Sequence, residues 1–253
     1  MKYLKLILIA GIVLLAGVFT VEAQIQDPDA VYFVQITDPH WGCGPSVQST
    51  IDVVAAMQAS ELRFDFVALT GDVLCDNVEE SIAQQGFDAL RQLAVPVYVL
   101  AGNHDYVGTN AATYAKQVDE LNYAVEHNEM LLLFISSIEP ENNPEDDVLA
   151  WTTATMAAHP GKSILLFHHE PFMSVNYAPE SLSRWQMLLT EFPVTSVFAG
   201  HLHRDALLWH AAVPEFVAAC ILPWDGRQPS YRLYEYKAGR VSYQTFYITE
   251  TYK

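Results

Sequence analysis

Three short apolar runs, Val31–Ile36, Phe66–Leu69 and Val97–Leu100, alternate with segments of helical spacing, and this alternation most constrains what the chain can fold into. The runs are rich in β-branched and aromatic residues, as buried strands are. Between them, Val47, Ile51, Val54 and Ala55 recur at helical intervals, and residues 81–93 repeat the pattern. Such β-α repeats build an α/β sheet whose ligands gather at the carboxyl ends of the strands. The second half is less regular. It offers a hairpin of residues 123–126 and 130–136, a helix near 148–158, and strands at 164–167 and 194–198. After Gly200 the helical spacing gives way to alternating segments at 206–210, 215–219, 230–236 and 241–248, which predict a second, largely antiparallel sheet. No Gly/Ser-rich or Pro-rich linker divides the chain, so residues 24–253 are expected to form one domain.

Residues 1–23 have the layout of a signal peptide. Lys2 and Lys5 precede an apolar run, Leu6–Phe19, that is shorter than the ~20 residues a spanning helix needs. Val21 and Ala23 place small residues where a signal peptidase reads, so cleavage after Ala23 and export to the periplasm or the extracellular space are expected. Membrane association follows only if the segment stays uncleaved. Losing Lys2, Lys5 and Glu22 leaves 11 basic and 29 acidic residues, a net charge of −18. That balance repels polyanions and lacks the basic footprint that long nucleic acid requires. A pair of divalent cations would offset about four of those charges locally and admit a small anionic ester. The three cysteines are too few for a disulfide scaffold. Cys43 and Cys75 follow the first two strands and would pair in an oxidising compartment if those strands are neighbours; three free thiols is the other reading.

Polar clusters sit where the apolar runs end: Asp38-Pro39-His40, Gly71-Asp72, Gly102-Asn103-His104-Asp105, His168-His169 and Gly200-His201-Leu202-His203. Six of the nine histidines lie in them, concentrated at strand ends and not spread over a solvated surface. Asp38 and His40, two residues apart, can offer an oxygen and a nitrogen to one cation. Asp72, after Gly71, can bridge two cations through its two oxygens. Asn103 supplies a neutral amide oxygen. Next to it, His104 is a candidate general acid, with Asp105 placed to fix its tautomer. His201 and His203 share one side of an extended segment. Each cluster alone reads more simply as a turn; all five together, in order, point to a metal centre.

On these five motifs the sequence resembles the calcineurin-like metallophosphoesterase superfamily, and the match spans most of the chain after residue 23. The resemblance implies an α/β fold of two packed mixed β-sheets flanked by helices, a four-layer sandwich. It implies two divalent or trivalent metal ions, drawn from Fe, Mn, Zn or Co. Asp38, His40, Asp72 and His203 would hold the first ion; Asp72, Asn103, His168 and His201 the second. His104 would protonate the leaving oxygen as a bridging hydroxide attacks phosphorus. The middle motif departs from the family pattern, because Glu170 stands where proline is usual and Pro171 follows one residue later. A register with His169 as ligand therefore stays open beside His168; otherwise His169, like Arg204, would face substrate. The run from Gly200 to Arg204 and the C-terminal hairpin resemble the small phosphatase and phosphodiesterase branch, which implies hydrolysis of small phosphomonoesters or phosphodiesters. A catalytically silent scaffold of the same fold is the competing expectation, but no ligand is missing. Trp41, Tyr106 and Trp224 either line a pocket or pack. His127, His159 and His210 read as structural or surface residues.

Overall fold

The computed structural model describes residues 26–172, 177–223 and 226–248. The expected signal peptide and Trp224 lie outside the described residues. The elements run β1 (Val31–Ile36), α1 (Ser46–Ala59), β2 (Phe66–Thr70), α2 (Glu80–Leu90), β3 (Val97–Leu100), a 3-10 turn (Asn103–Tyr106), α3 (Asn110–Ala115), β4 (Asn122–His127), β5 (Met130–Ile135) and α4 (Glu145–Ala158). They continue with β6 (Ser163–Phe167), α5 (Pro179–Glu191), β7 (Val194–Ala199), β8 (Ala206–His210), β9 (Val213–Val217), β10 (Ser230–Lys237) and β11 (Arg240–Tyr247).

Two sheets pack face to face, with strand orders β11-β10-β1-β2-β3 and β4-β5-β6-β7-β9-β8. Both are mixed, as the family resemblance implies. The expected antiparallel character of the second sheet is corrected, since β5, β6, β7 and β9 are parallel neighbours and only β4 and β8 run against them. Helical crossovers α4 and α5 join β5 to β6 and β6 to β7, and a crossover of that length returns the chain to a parallel strand. The segments after Gly200 also split: β8 and β9 complete the second sheet, while β10 pairs with β1 in the first. Helix α5 has no counterpart in the sequence expectation, although Pro179 and the buried stripe Ser181, Trp185, Leu188 and Leu189 mark its start and inward face.

Alternation along the strands explains the layers. Tyr32, Val34 and Ile36 of β1 face α1 and α2, while Phe33 points between the sheets. There Phe33 stacks on Phe66 at 5.0 Å and meets Phe198 of the other sheet edge-on at 5.2 Å. Each such buried ring contributes about 1.5–3 kcal/mol. Polar residues interrupt this apolar layer near the strand ends, Gln35 and Thr70 among them. Buried Gln35 donates to Thr70 Oγ1 (3.0 Å) and to Ala199 O (2.9 Å) and accepts from Tyr234 Oη (2.8 Å). With its amide satisfied, it fixes β1 against β7 where both strands deliver their loops.

Candidate metal centre

Five of the nine non-glycine residues with positive φ among the described residues are Asp38, His40, Asp72, His201 and His203. Left-handed backbone is costly for such residues, and it concentrates where the fold over-determines it for function. The loops after β1 and β2 run side by side, with Asp38 N on Gly71 O (3.1 Å) and His40 N on Asp72 O (3.0 Å). The Cys43–Cys75 disulfide then closes them, with Cα atoms 5.6 Å apart, so the paired reading of these cysteines holds. Glycine is required at two points here. A Cβ on Gly71, at φ +88°, would lie 2.5 Å from His169 Nδ1, and one on Gly200 would lie 1.9 Å from Thr37 Oγ1.

Two groups of ligand-type atoms result. Asp38, His40, Asp72 and His203 converge in the first; Asp72, His169 and His201 in the second. His203 Nε2 lies 3.2 Å from Asp38 Oδ1 and 3.1 Å from His40 Nε2. Asp72 belongs to both groups, but through one oxygen. Its Oδ1 accepts the backbone N–H of His104 at 2.9 Å, while Oδ2 faces His40 Nε2 (3.5 Å) and His169 Nε2 (3.1 Å).

His169, not His168, enters the second group, and the expectation is corrected to the alternative register. His169 Nδ1 donates to Thr70 O at 2.8 Å, which turns the Nε2 lone pair toward Asp72 and His201. His168 points to the opposite side of the extended chain, where its Nε2 meets Glu215 Oε1 at 2.7 Å. Asn103 Oδ1 is buried with no hydrogen-bond donor, an orphaned acceptor of the kind a cation satisfies. Imidazole nitrogens, carboxylates and one amide oxygen suit Fe, Mn, Zn or Co equally. The residues present therefore fit a metal site.

Charge is balanced internally. Burial would raise the Asp72 carboxyl, but His169 and His40 beside it hold it well below the ordinary carboxylate range. Burial would lower His169, yet Asp72 lifts it to about 10.

His104 lines a cavity of about 370 Å³ together with His40, His201, His203, Leu222 and the disulfide. Its expected partner Asp105 is corrected. The 3-10 turn sends Asp105 inward, where it accepts from the N–H groups of Val73 (3.1 Å), Leu74 (2.8 Å) and Gly102 (2.7 Å) and ties the β2 loop to the β3 loop. Burial and the nearby Asp72 charge push its carboxyl up to about 7. Asp76 takes the orienting role instead, with Oδ1 2.6 Å from His104 Nδ1. Sequence reading missed Asp76, although it stands four residues beyond Asp72. Arg204 is exposed and is not among the residues that line this cavity. Trp41 packs, fully buried against Phe87 with its Nε1 on Thr50. A larger cavity of about 680 Å³, between α2 and the edge strands β3 and β4, carries no histidine.

The calcineurin-like phosphoesterase profile matches residues 31–205, more than half of the chain. The chain belongs to this family of metal-dependent phosphate-ester hydrolases. Among curated proteins it is similar to the 3',5'-cyclic adenosine monophosphate phosphodiesterase CpdA of Vibrio vulnificus, at 26% identity over 73% of this chain and 74% of that protein. It is also similar to a probable glycerophosphodiester phosphodiesterase GpdQ of Arcobacter nitrofigilis, at 25% identity over 71% and 75%. A dimetal phosphatase from Danio rerio shares the fold, with a TM-score of 0.65 and 15% identity over 88% of this chain and all of that one. So does GAP50, the anchor in the inner membrane complex of Plasmodium, with a TM-score of 0.62 and 13% identity over 88% and 90%.

Proposed function

We propose that this chain is an exported phosphodiesterase for small substrates, working with two metal ions. The observation that carries the reading is the convergence of the two ligand groups on one oxygen of Asp72, beside an imidazole already oriented by Asp76. Asp38, His40, Asp72 and His203 would hold one ion; Asp72, Asn103, His169 and His201 the other. Bound there, the ions supply Lewis-acid stabilisation of phosphoryl charge and a nucleophile at neutral pH. The chain's own groups do the rest. The Nδ1–H of His104 is committed to Asp76, which leaves Nε2 to hold a proton for the departing oxygen. The carboxylate of Asp76 stabilises the imidazolium that carries it.

Diesters fit this cavity better than monoesters. No Lys or Arg is among the described residues that line it, and Asp76 adds negative charge, so the second charge of a monoester dianion has no cationic side chain to meet. The phosphodiesterase names of the relatives support the same preference. Export is supported by the signal-peptide layout and by a disulfide, a bond that persists in oxidising compartments. Mature protein stripped of metal and reloaded with Mn²⁺ or Zn²⁺ should hydrolyse bis(p-nitrophenyl) phosphate faster than p-nitrophenyl phosphate. Absence of metal-dependent turnover of either ester overturns the assignment.

A further inference from the structure

Behind the metal centre, on the helix-facing side of the second sheet, three more titratable side chains meet. Glu215 is fully buried, and His168 and His210 are 4% and 2% exposed. Glu215 Oε1 accepts from His168 Nε2 and Oε2 from His210 Nε2, both at 2.7 Å. The surroundings are aromatic, with Phe172 4.3 Å from the His168 ring and stacked on Trp185. Removing a carboxylate from water into such a layer costs several kcal/mol unless every oxygen is paired. Here every oxygen is. Oε1 takes a second bond, from the backbone N–H of Phe172 at 3.2 Å.

That second bond gives the cluster a purpose beyond its own satisfaction. One carboxylate oxygen holds the side chain of His168 and the amide of Phe172, which together bracket the turn carrying His169. The backbone supports the same turn from the other side, with His168 N on Phe198 O (3.0 Å) and Gly200 N on His169 O (2.9 Å). His169 contributes to one ligand group only, the second. The first group draws on the β1, β2 and β7 loops and takes no ligand from this turn.

We propose that Glu215, through His168 and the Phe172 amide, is a positioning residue that sets His169 for the second metal ion. The proposal rests on the two-metal reading above. The cluster acts through the turn and touches neither ion nor substrate. Its removal is expected to weaken one metal equivalent and spare the other.

The test is calorimetric titration of metal-stripped mature protein with Mn²⁺ or Zn²⁺, with bound metal counted by mass spectrometry. The equivalent lost in His40→Ala marks the first group. In Glu215→Gln the remaining equivalent is expected to weaken about tenfold or more, the range seen when groups supporting a ligand are removed. The first should stay within about twofold of wild type. A crystal structure of the metal-free variant should show His169 moved away from Thr70 O, with Asp38, His40 and His203 in place. Where Glu215→Gln does not fold, His168→Leu breaks the same bracket while leaving Glu215 paired with His210. His168→Gln restores a donor and is expected to restore the second equivalent. Unchanged binding of both equivalents in Glu215→Gln and His168→Leu overturns the proposal, as does parallel weakening of both. Wild-type protein that binds fewer than two equivalents overturns the two-metal reading and the proposal with it.

Discussion

His168 and His169 are consecutive residues, yet they serve two clusters of the same composition on opposite sides of one chain. Each cluster sets imidazoles against a buried carboxylate, Asp72 on one side and Glu215 on the other. The difference lies in what is left over. Around Glu215 both carboxylate oxygens are paired, and the histidines and the acid sit on or beside regular strands. Around Asp72 the backbone is left-handed at five residues, lone pairs face one another, and Asn103 Oδ1 has no donor. His210 Nδ1 is also without a partner among the described residues, so the distinction rests on the carboxylate, fully paired at Glu215, and on the left-handed backbone that brings ligand atoms together around Asp72.

The largest break in this comparison comes from Asp72→Ala. Turnover should fall on the order of 10³-fold and both metal equivalents should weaken, because one oxygen serves both groups. Steady-state kinetics beside metal titration checks it. Glu215→Gln should weaken the second metal equivalent alone and lower stability by roughly 3 kcal/mol at neutral pH through the loss of a buried, hydrogen-bonded carboxylate. Its pH dependence has a definite sign. Burial opposes ionisation of Glu215, but the His168 and His210 hydrogen bonds outweigh it and hold the carboxyl at about 2, against an ordinary 4.5. The stabilisation is complete above pH 4.5 and is lost as pH falls toward 2. The gap in thermal stability between wild type and variant should close over that window; a gap constant from pH 7 to 2 contradicts the stabilising carboxylate.

Gly71→Ala should cost about 1–3 kcal/mol, from positive φ and from a Cβ pressing on His169, and should weaken metal binding with it. Denaturant unfolding of the metal-free protein separates the two effects. Asp76→Asn should lower kcat roughly tenfold to a hundredfold with both metal equivalents intact, since it loosens only the acid. The smallest effect is expected at Arg204→Ala, within about twofold on kcat/KM, because Arg204 is exposed and outside the cavity lining.

Much of the site was legible before any coordinates, because metal ligands must be few, polar and delivered at strand ends, and glycines mark the sharp loops. Asp38, His40, Asp72, His201 and His203 come together as the family resemblance implied, and Asn103 presents a buried acceptor without a donor. What stayed hidden depended on direction. The choice between His168 and His169 turned on which side of β6 faces the loops, and Glu170 had removed the proline that would have fixed the register. Asp105 stood beside His104 in sequence, but a 3-10 turn points it at three backbone amides. Glu215 was absent from the sequence reading altogether. The signal available was its place between Val213 and Val217, two same-face neighbours in a strand where a lone acid must have a buried partner. In the fold, the three β-α repeats at the start were clear from periodicity, while α5 and the division of the last four strands between sheets were settled by tertiary pairing.

The Cys43–Cys75 bond joins residues 32 positions apart, a closure that removes roughly 4 kcal/mol of entropy from the unfolded chain. Those residues lie in the loops that bring Asp38, His40 and Asp72. Even in the unfolded ensemble, then, three of the seven donors travel as one cross-linked unit. Assembly of the centre becomes a meeting of a preformed clasp with the β3, β6 and β7 loops, not a search by five independent segments.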